Sequence, residues 1–182
     1  EARHLPPAPA LPLAKDPASI SKPRFVRHDY RMNPAVWEAL KAAAGRHGVT
    51  FSSVLLAAYA EVLGLWSRSP DLTVNAPVFT RLPVHPDINN MVGEFTSSVL
   101  VRCETGRSKS FADKVKAVQQ RTFDGLKFCQ MSGVEVMRRK IRDGASAESV
   151  RMPVVFTSTF GLAKMADTGF ASSIAGFSSL GR

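Results

Sequence analysis

Cysteine is scarce in this 182-residue chain, which has two, Cys103 and Cys129. Neither has metal-ligand spacing or a histidine partner nearby, and two lone thiols make no disulfide framework, so both read as ordinary buried or half-buried side chains. Long apolar runs are missing too. No stretch reaches the length of a membrane span, and the amino end lacks the basic-then-apolar pattern of a signal peptide, which makes a cytoplasmic location the default. The chain has no phosphate-cradling glycine loop, dinucleotide fingerprint, nucleophile elbow or zinc pattern, so the common cofactor enzymes find no support. Acidic residues number 15 against 24 basic ones, a net charge of +9. Those cations are spread along the chain, with concentrations at 114–121 and 138–142, and aromatics are not interleaved with them as a nucleic-acid groove would require. A solvated helical face accounts best for that spread. A basic rim receiving an acidic carrier domain and a salt-sensitive nucleic-acid surface are the other readings.

With 45% hydrophobic residues, the chain can bury a core and is most simply one domain or one large lobe. Residues 1–23 hold six prolines, at 6, 7, 9, 12, 17 and 23, and so form an extended connector rather than a helix or central strand. Over 24–31, Phe25, Arg27 and Asp29 alternate with Val26, His28 and Tyr30, which predicts a short polar strand with His28 at the surface. Asn33-Pro34 is a capping pair ahead of a helix that carries Val36, Trp37, Leu40 and Ala44 and ends near Gly48. The next helix starts at Thr50 or Ser52 and runs to about Trp66. Its Val54, Leu55, Ala58, Tyr59, Val62, Leu63 and Trp66 form the stripe expected to pack on a sheet.

Residues 72–79 read as a strand, followed by a proline-broken loop that His85 shapes. Gly93 before Glu94 and Phe95 marks a bend leading into a strand at 97–103. Ser110 caps a basic helix from 111 to about 128, with Val115, Val118, Thr122 and Leu126 on one side. A helix over 132–142 follows, and 170–177 is a weak strand. Between them lies Met152-Pro153-Val154-Val155-Phe156-Thr157-Ser158, an apolar β-branched run ending in paired hydroxyls, which predicts a buried strand. Its period of two puts Val155, Thr157 and Thr159 on one face and Val154, Phe156, Ser158 and Phe160 on the other. Threonine is at home in strands, so taken alone Thr157 is a structural residue. The order of elements is that of an α/β sandwich lobe, a mixed sheet covered by helices.

Several segments together resemble one family, the heterocyclization domains of nonribosomal peptide synthetases, a branch of the condensation domain superfamily. Leu5-Pro6-Pro7-Ala8-Pro9-Ala10-Leu11-Pro12-Leu13 is similar to the connector between that family's two lobes. Thr50-Phe51-Ser52-Ser53 through Leu63-Gly64-Leu65-Trp66 resembles its helix motif, and Asn75 through Asp87 its strand-and-loop segment. Val92-Gly93-Glu94-Phe95-Thr96 resembles the motif written with aspartate before Phe-Thr. Ser132-Gly133-Val134 with Val136 and Arg138 resembles another segment, and Pro153 to Ser158 matches its Pro-Val-Val-Phe-Thr-Ser motif throughout. The six stand in family order.

The resemblance implies a chloramphenicol acetyltransferase-like fold in which two lobes form a V around a tunnel. Residues 24–182 would be the carboxy-terminal lobe, ending before the family's last motif, whose Thr-Pro-Gln-Val and aspartate are expected just beyond Arg182. It also implies a chemistry. An acyl thioester on one carrier domain is joined to carrier-bound cysteine, serine or threonine, and the side-chain nucleophile then closes on the new amide carbonyl with loss of water, giving a thiazoline or oxazoline. Thr157 takes the catalytic position of the Phe-Thr-Ser segment, and Glu94, Phe95, Thr96 and Thr159 fall along the substrate tunnel. No intrinsic cofactor or metal is implied, since the phosphopantetheine arms belong to the carriers. The implied partners are the amino-terminal lobe, upstream and downstream peptidyl carrier domains and an adenylation domain, with neither nucleic acid nor membrane. Siderophore assembly is one setting for such a domain. Two departures stand out. Glu94 replaces the family's aspartate, leaving open a tunnel carboxylate or a cap or ion-pair partner at the strand start. Phe128 stands where relatives often carry histidine. A condensation-only or catalytically inert docking lobe is the alternative.

Overall fold

The computed structural model describes residues 5–79, 81, 83–88 and 90–159. Four helices and a two-stranded antiparallel sheet follow the connector: α1 (Pro34–Arg46), α2 (Phe51–Ser67), β1 (Asp71–Phe79), β2 (Thr96–Glu104), α3 (Phe111–Lys127) and α4 (Gly133–Arg142). The helix starts are written in the caps. The side chains of Asn33, Thr50, Ser110 and Ser132 each accept a backbone N–H of the first turn, satisfying donors that have no partner inside the helix.

β1 and β2 pair from Asp71↔Glu104 to Phe79↔Thr96. Residues paired side by side point the same way, so Leu72, Val74 and Ala76 share a face with Cys103, Val101 and Val99. All six are buried, in one cluster with Leu56, Ala57, Ala60 and Leu63 of α2 and Val115 and Val118 of α3. This side of the sheet is the core. On β1's other edge, the connector accepts the Thr73 N–H at Pro7 O (3.0 Å), and the 152–159 segment runs parallel through a single bridge, Asn75↔Val155. The regular strands thus form an antiparallel pair, and the parallel component expected from the sequence is reduced, among the described residues, to this isolated bridge beside β1. Lys114, almost fully buried, reaches from α3 to both carboxylate oxygens of Glu61 on α2 at 2.9 and 3.0 Å, an ion pair that keeps the buried ammonium from being left uncompensated.

Three expectations change. Residues 24–31 form no strand; every one is exposed, Phe25 at 92% and Tyr30 at 87%. Alternation supplies two faces but not a neighbour, and a strand exists only when another backbone takes its hydrogen bonds. Second, α2 packs through Ser53, Val54, Leu56, Ala57, Ala60, Leu63 and Gly64, while Tyr59, Val62, Leu65 and Trp66 stay exposed. The helix is apolar nearly all round, so periodicity offers two stripes, and close approach selects the one with small residues. A Cβ on Gly64 would lie 2.3 Å from Thr105 Oγ1. Third, the segment expected as a buried strand makes only its one bridge, and Val155 is 46% exposed. The weak strand at 170–177 and Phe160 lie outside the described residues. Among those described, no single helix is long and apolar enough to cross a membrane.

Candidate functional site

Thr157 owes its orientation to the bridge two residues earlier. Val155 points with Asn75, away from the α2–α3 side, and Thr157 and Thr159 follow it by the two-residue repeat. Both threonines are exposed. Val154 and Phe156 turn the other way and pack against the core, with the Phe156 ring 6.0 Å from that of Tyr59. One residue further on, Ser158 Oγ meets Ser52 Oγ of α2 at 2.6 Å.

The second face of the sheet is covered in parts. The connector closes it at Thr73, whose hydroxyl donates to Pro6 O at 2.6 Å. The start of α4 covers part of β2, where a Cβ on Gly133 would lie 2.7 Å from Ser98 Oγ. The far end is open: Phe79 is 53% exposed, and its partner Thr96 is exposed as well. Thr96 is exposed at that open end on β2, and Thr157 and Thr159 are exposed beyond the bridge on the other side of β1.

Glu94 and Phe95 are held by contacts within their own loop and strand start. Glu94 Oε1 accepts the Thr96 N–H at 2.6 Å. Hydrogen bonds from Thr96, its side chain first and its backbone second, hold the Glu94 carboxyl below the ordinary carboxylate range, so it is ionised at neutral pH. This is the capping role at the strand start that the sequence left open. Phe95 lies under the Arg81 guanidinium, 4.0 Å from ring centre to cation, and Arg81 Nη1 also donates to Ile88 O and, at 3.0 Å, to Met91 O. One cation thereby gathers the β1–β2 loop around the aromatic ring. His85 has the shaping role expected of it, its Nδ1 accepting the Asp87 N–H at 3.2 Å. Among the described residues, no hydrogen bond or ion pair joins Thr157 to Glu94 or Thr96, whose bond is to each other.

Sequence reasoning missed a cavity of about 680 Å³ at β2's outer edge, between α3 and α4, lined among others by Ser98, Leu100, Arg102, Arg121, Phe128 and Met131. Its cations are already engaged: Arg102 pairs with Asp71 and Arg121 with Glu104. Phe128, singled out from the sequence, lines this cavity. Among the described residues, no three His, Cys, Asp or Glu side chains gather closely enough to hold a metal ion.

An exposed threonine hydroxyl held on a fixed backbone can donate one hydrogen bond and accept others. That suffices to hold an oxyanion or relay a proton, but not to act alone as a base at neutral pH.

The condensation domain family model matches residues 4–147. Bacitracin synthase 1 of Bacillus licheniformis is 39% identical over 171 residues, 93% of this chain and 3% of that protein. Phenyloxazoline synthase MbtB of Mycobacterium tuberculosis is 35% identical over 158 residues, 87% of this chain and 11% of that protein. Among solved structures, the EpoB cyclization-docking bidomain from Sorangium cellulosum superposes with a TM-score of 0.77 at 39% identity, over 88% of this chain and 32% of that one. The chain spans a small part of these synthetases and about a third of the bidomain.

Proposed function

The chain belongs to the condensation domain family, on its heterocyclization branch, and from that premise we propose that it is the carboxy-terminal lobe of a domain that joins an acyl thioester to carrier-bound cysteine, serine or threonine and closes the product to a thiazoline or oxazoline. Thr157 is the residue of this lobe that serves the ring-closing step. Ring closure needs a proton removed from the attacking thiol or hydroxyl, a donor for the tetrahedral adduct and a proton delivered to the departing oxygen. A neutral hydroxyl fits the second and third tasks.

The observation that supports this reading is the outward face of the 152–159 segment. Its alternate side chains are bound to the core and to α2, while Thr157 is presented to the uncovered side of the sheet. An amino-terminal lobe would complete a tunnel over that face, and carrier domains would bring both substrates on their phosphopantetheine arms, in a cytoplasmic synthetase with an adenylation domain. Names such as phenyloxazoline synthase among the relatives accord with ring formation. In the complete two-lobed domain, Thr157→Ala is expected to accumulate the uncyclized amide, and an unchanged heterocycle yield removes Thr157 from the account.

A second reading, a lobe that condenses but cyclizes poorly, draws on Glu94. Its carboxylate accepts the Thr96 N–H at its own strand start.

A further inference from the structure

The last backbone bond between the 152–159 segment and β1 is Phe156 N–H to Asn75 O, at 2.9 Å. Thr157 comes next, past the end of that pairing. What fixes the chain beyond this point among the described residues is the hydroxyl pair Ser158–Ser52, 2.6 Å apart and joining positions 106 apart in sequence. Thr157 therefore sits between two fastenings, a main-chain bond before it and a side-chain bond after it. With Ser158 drawn inward onto α2, the pleat leaves Thr157 no direction but outward.

Ser52 is itself on a braced platform. It lies in the first turn of α2, where the Thr50 side chain caps the helix through Ser53 N at 3.2 Å and meets Ser53 Oγ at 2.7 Å. Gln119 of α3 holds the approach to that turn from both sides, accepting the Thr50 N–H at 2.6 Å and donating to Gly48 O at 3.1 Å. A group anchored there moves with the α2–α3 core and not with the loop.

We propose that Ser52 is a positioning residue for ring closure: through Ser158 it holds the Thr157 hydroxyl at the place where the tetrahedral adduct forms. This rests on the reading of Thr157 given above. Ser52 need touch neither substrate nor reacting atoms. Its removal frees the backbone on the carboxy-terminal side of Thr157, and a reaction that depends on a donor held to within a fraction of an ångström responds steeply to that freedom. Amide formation, which this account does not route through Thr157, should be spared.

The test uses the complete two-lobed domain with an acyl-loaded donor carrier and a carrier loaded with cysteine, serine or threonine, following amide and heterocycle separately by mass spectrometry. The loss of one hydrogen bond sets the scale: Ser52→Ala and Ser158→Ala should each slow cyclization about 3–10-fold, with amide formation and melting temperature near those of the parent. The double variant should be no slower than the slower single one, because both remove the same bond. Ser52→Thr, which keeps the hydroxyl, should recover most of the rate. If Thr157→Ala blocks cyclization while Ser52→Ala leaves it unchanged, Ser52 does not act through Thr157 and the proposal fails alone. If amide formation and cyclization fall together with the melting temperature, Ser52 is only structural, and the proposal fails in that way instead. If Thr157→Ala itself is without effect, the reading of Thr157 fails and takes this proposal with it.

Discussion

Asn75 and Val155 stand side by side in a parallel bridge, with the Asn75 N–H donating to Val154 O at 3.0 Å and the Asn75 carbonyl accepting the Phe156 N–H at 2.9 Å. This one residue of β1 sets which way Val155, and with it Thr157, faces. The amides of Asn75 and Phe156 should therefore exchange hydrogen far more slowly than those of residues 24–31, which are exposed along their whole length. Residue-resolved exchange measures this. Equal rates would mean that the 152–159 segment is not fastened to β1.

Two glycines let helices approach the sheet edge more closely than any side chain permits. A Cβ on Gly64 would lie 2.3 Å from Thr105 Oγ1, and one on Gly125 would lie 2.2 Å from Val99 Cγ1. Thr105 cannot give way freely, since its hydroxyl donates to Ser69 O at 2.7 Å. Gly64→Ala and Gly125→Ala should each destabilise the fold by about 1–3 kcal/mol, the usual cost of overpacking, read as a lower denaturation midpoint.

The fold was legible where a local signal acts alone. Asn33-Pro34 and Ser110 mark helix starts by chemistry within one turn, and α2 begins after Thr50, one of the two starts the sequence left open. The two strands of the sheet were legible as apolar runs, but their pairing came from the structure. Legibility ended where the answer depends on a neighbour. Residues 24–31 alternate like a strand, yet nothing in that alternation says which backbone would pair with them. The choice between α2's two apolar stripes lay in Gly64 and Thr105, 41 positions apart, whose closeness exists only in the fold. At the site, exposure follows the two-residue repeat, with Val155, Thr157 and Thr159 exposed and Val154, Phe156 and Ser158 partly buried. The role of Glu94 had to wait for the Thr96 N–H.

The two thiols should differ sharply. Burial pushes the Cys103 thiol up to about 12, and the residue is 1% exposed, whereas Cys129 is half-buried. At pH 8 a chromogenic disulfide should react with one thiol per folded chain, and with the second only after denaturation. Rapid reaction of both in the folded chain would contradict the burial of Cys103.

Acid should weaken the β2–α3 junction through Glu104. Bonds from Lys109 and then Arg121 bring its carboxyl down to about 2 from an ordinary 4.5. A group depressed in the folded state stabilises above its unfolded value and loses that contribution as protons bind, so stability should fall as pH drops from about 4.5 toward 2. Glu104→Gln should flatten this part of the pH–stability curve. The same slope in the variant would place its origin elsewhere.

The central claim is that the Thr157 hydroxyl serves ring closure and not amide formation. Single-turnover assays of the complete domain carrying Thr157→Ala and, separately, Thr157→Ser measure the two steps apart. The account predicts that the alanine variant forms the amide at close to the parent rate but closes the ring about 100-fold more slowly, while the serine variant, which keeps a hydroxyl, stays within about 10-fold of the parent. Ring closure at the parent rate in the alanine variant, or equal loss of both steps, would contradict it.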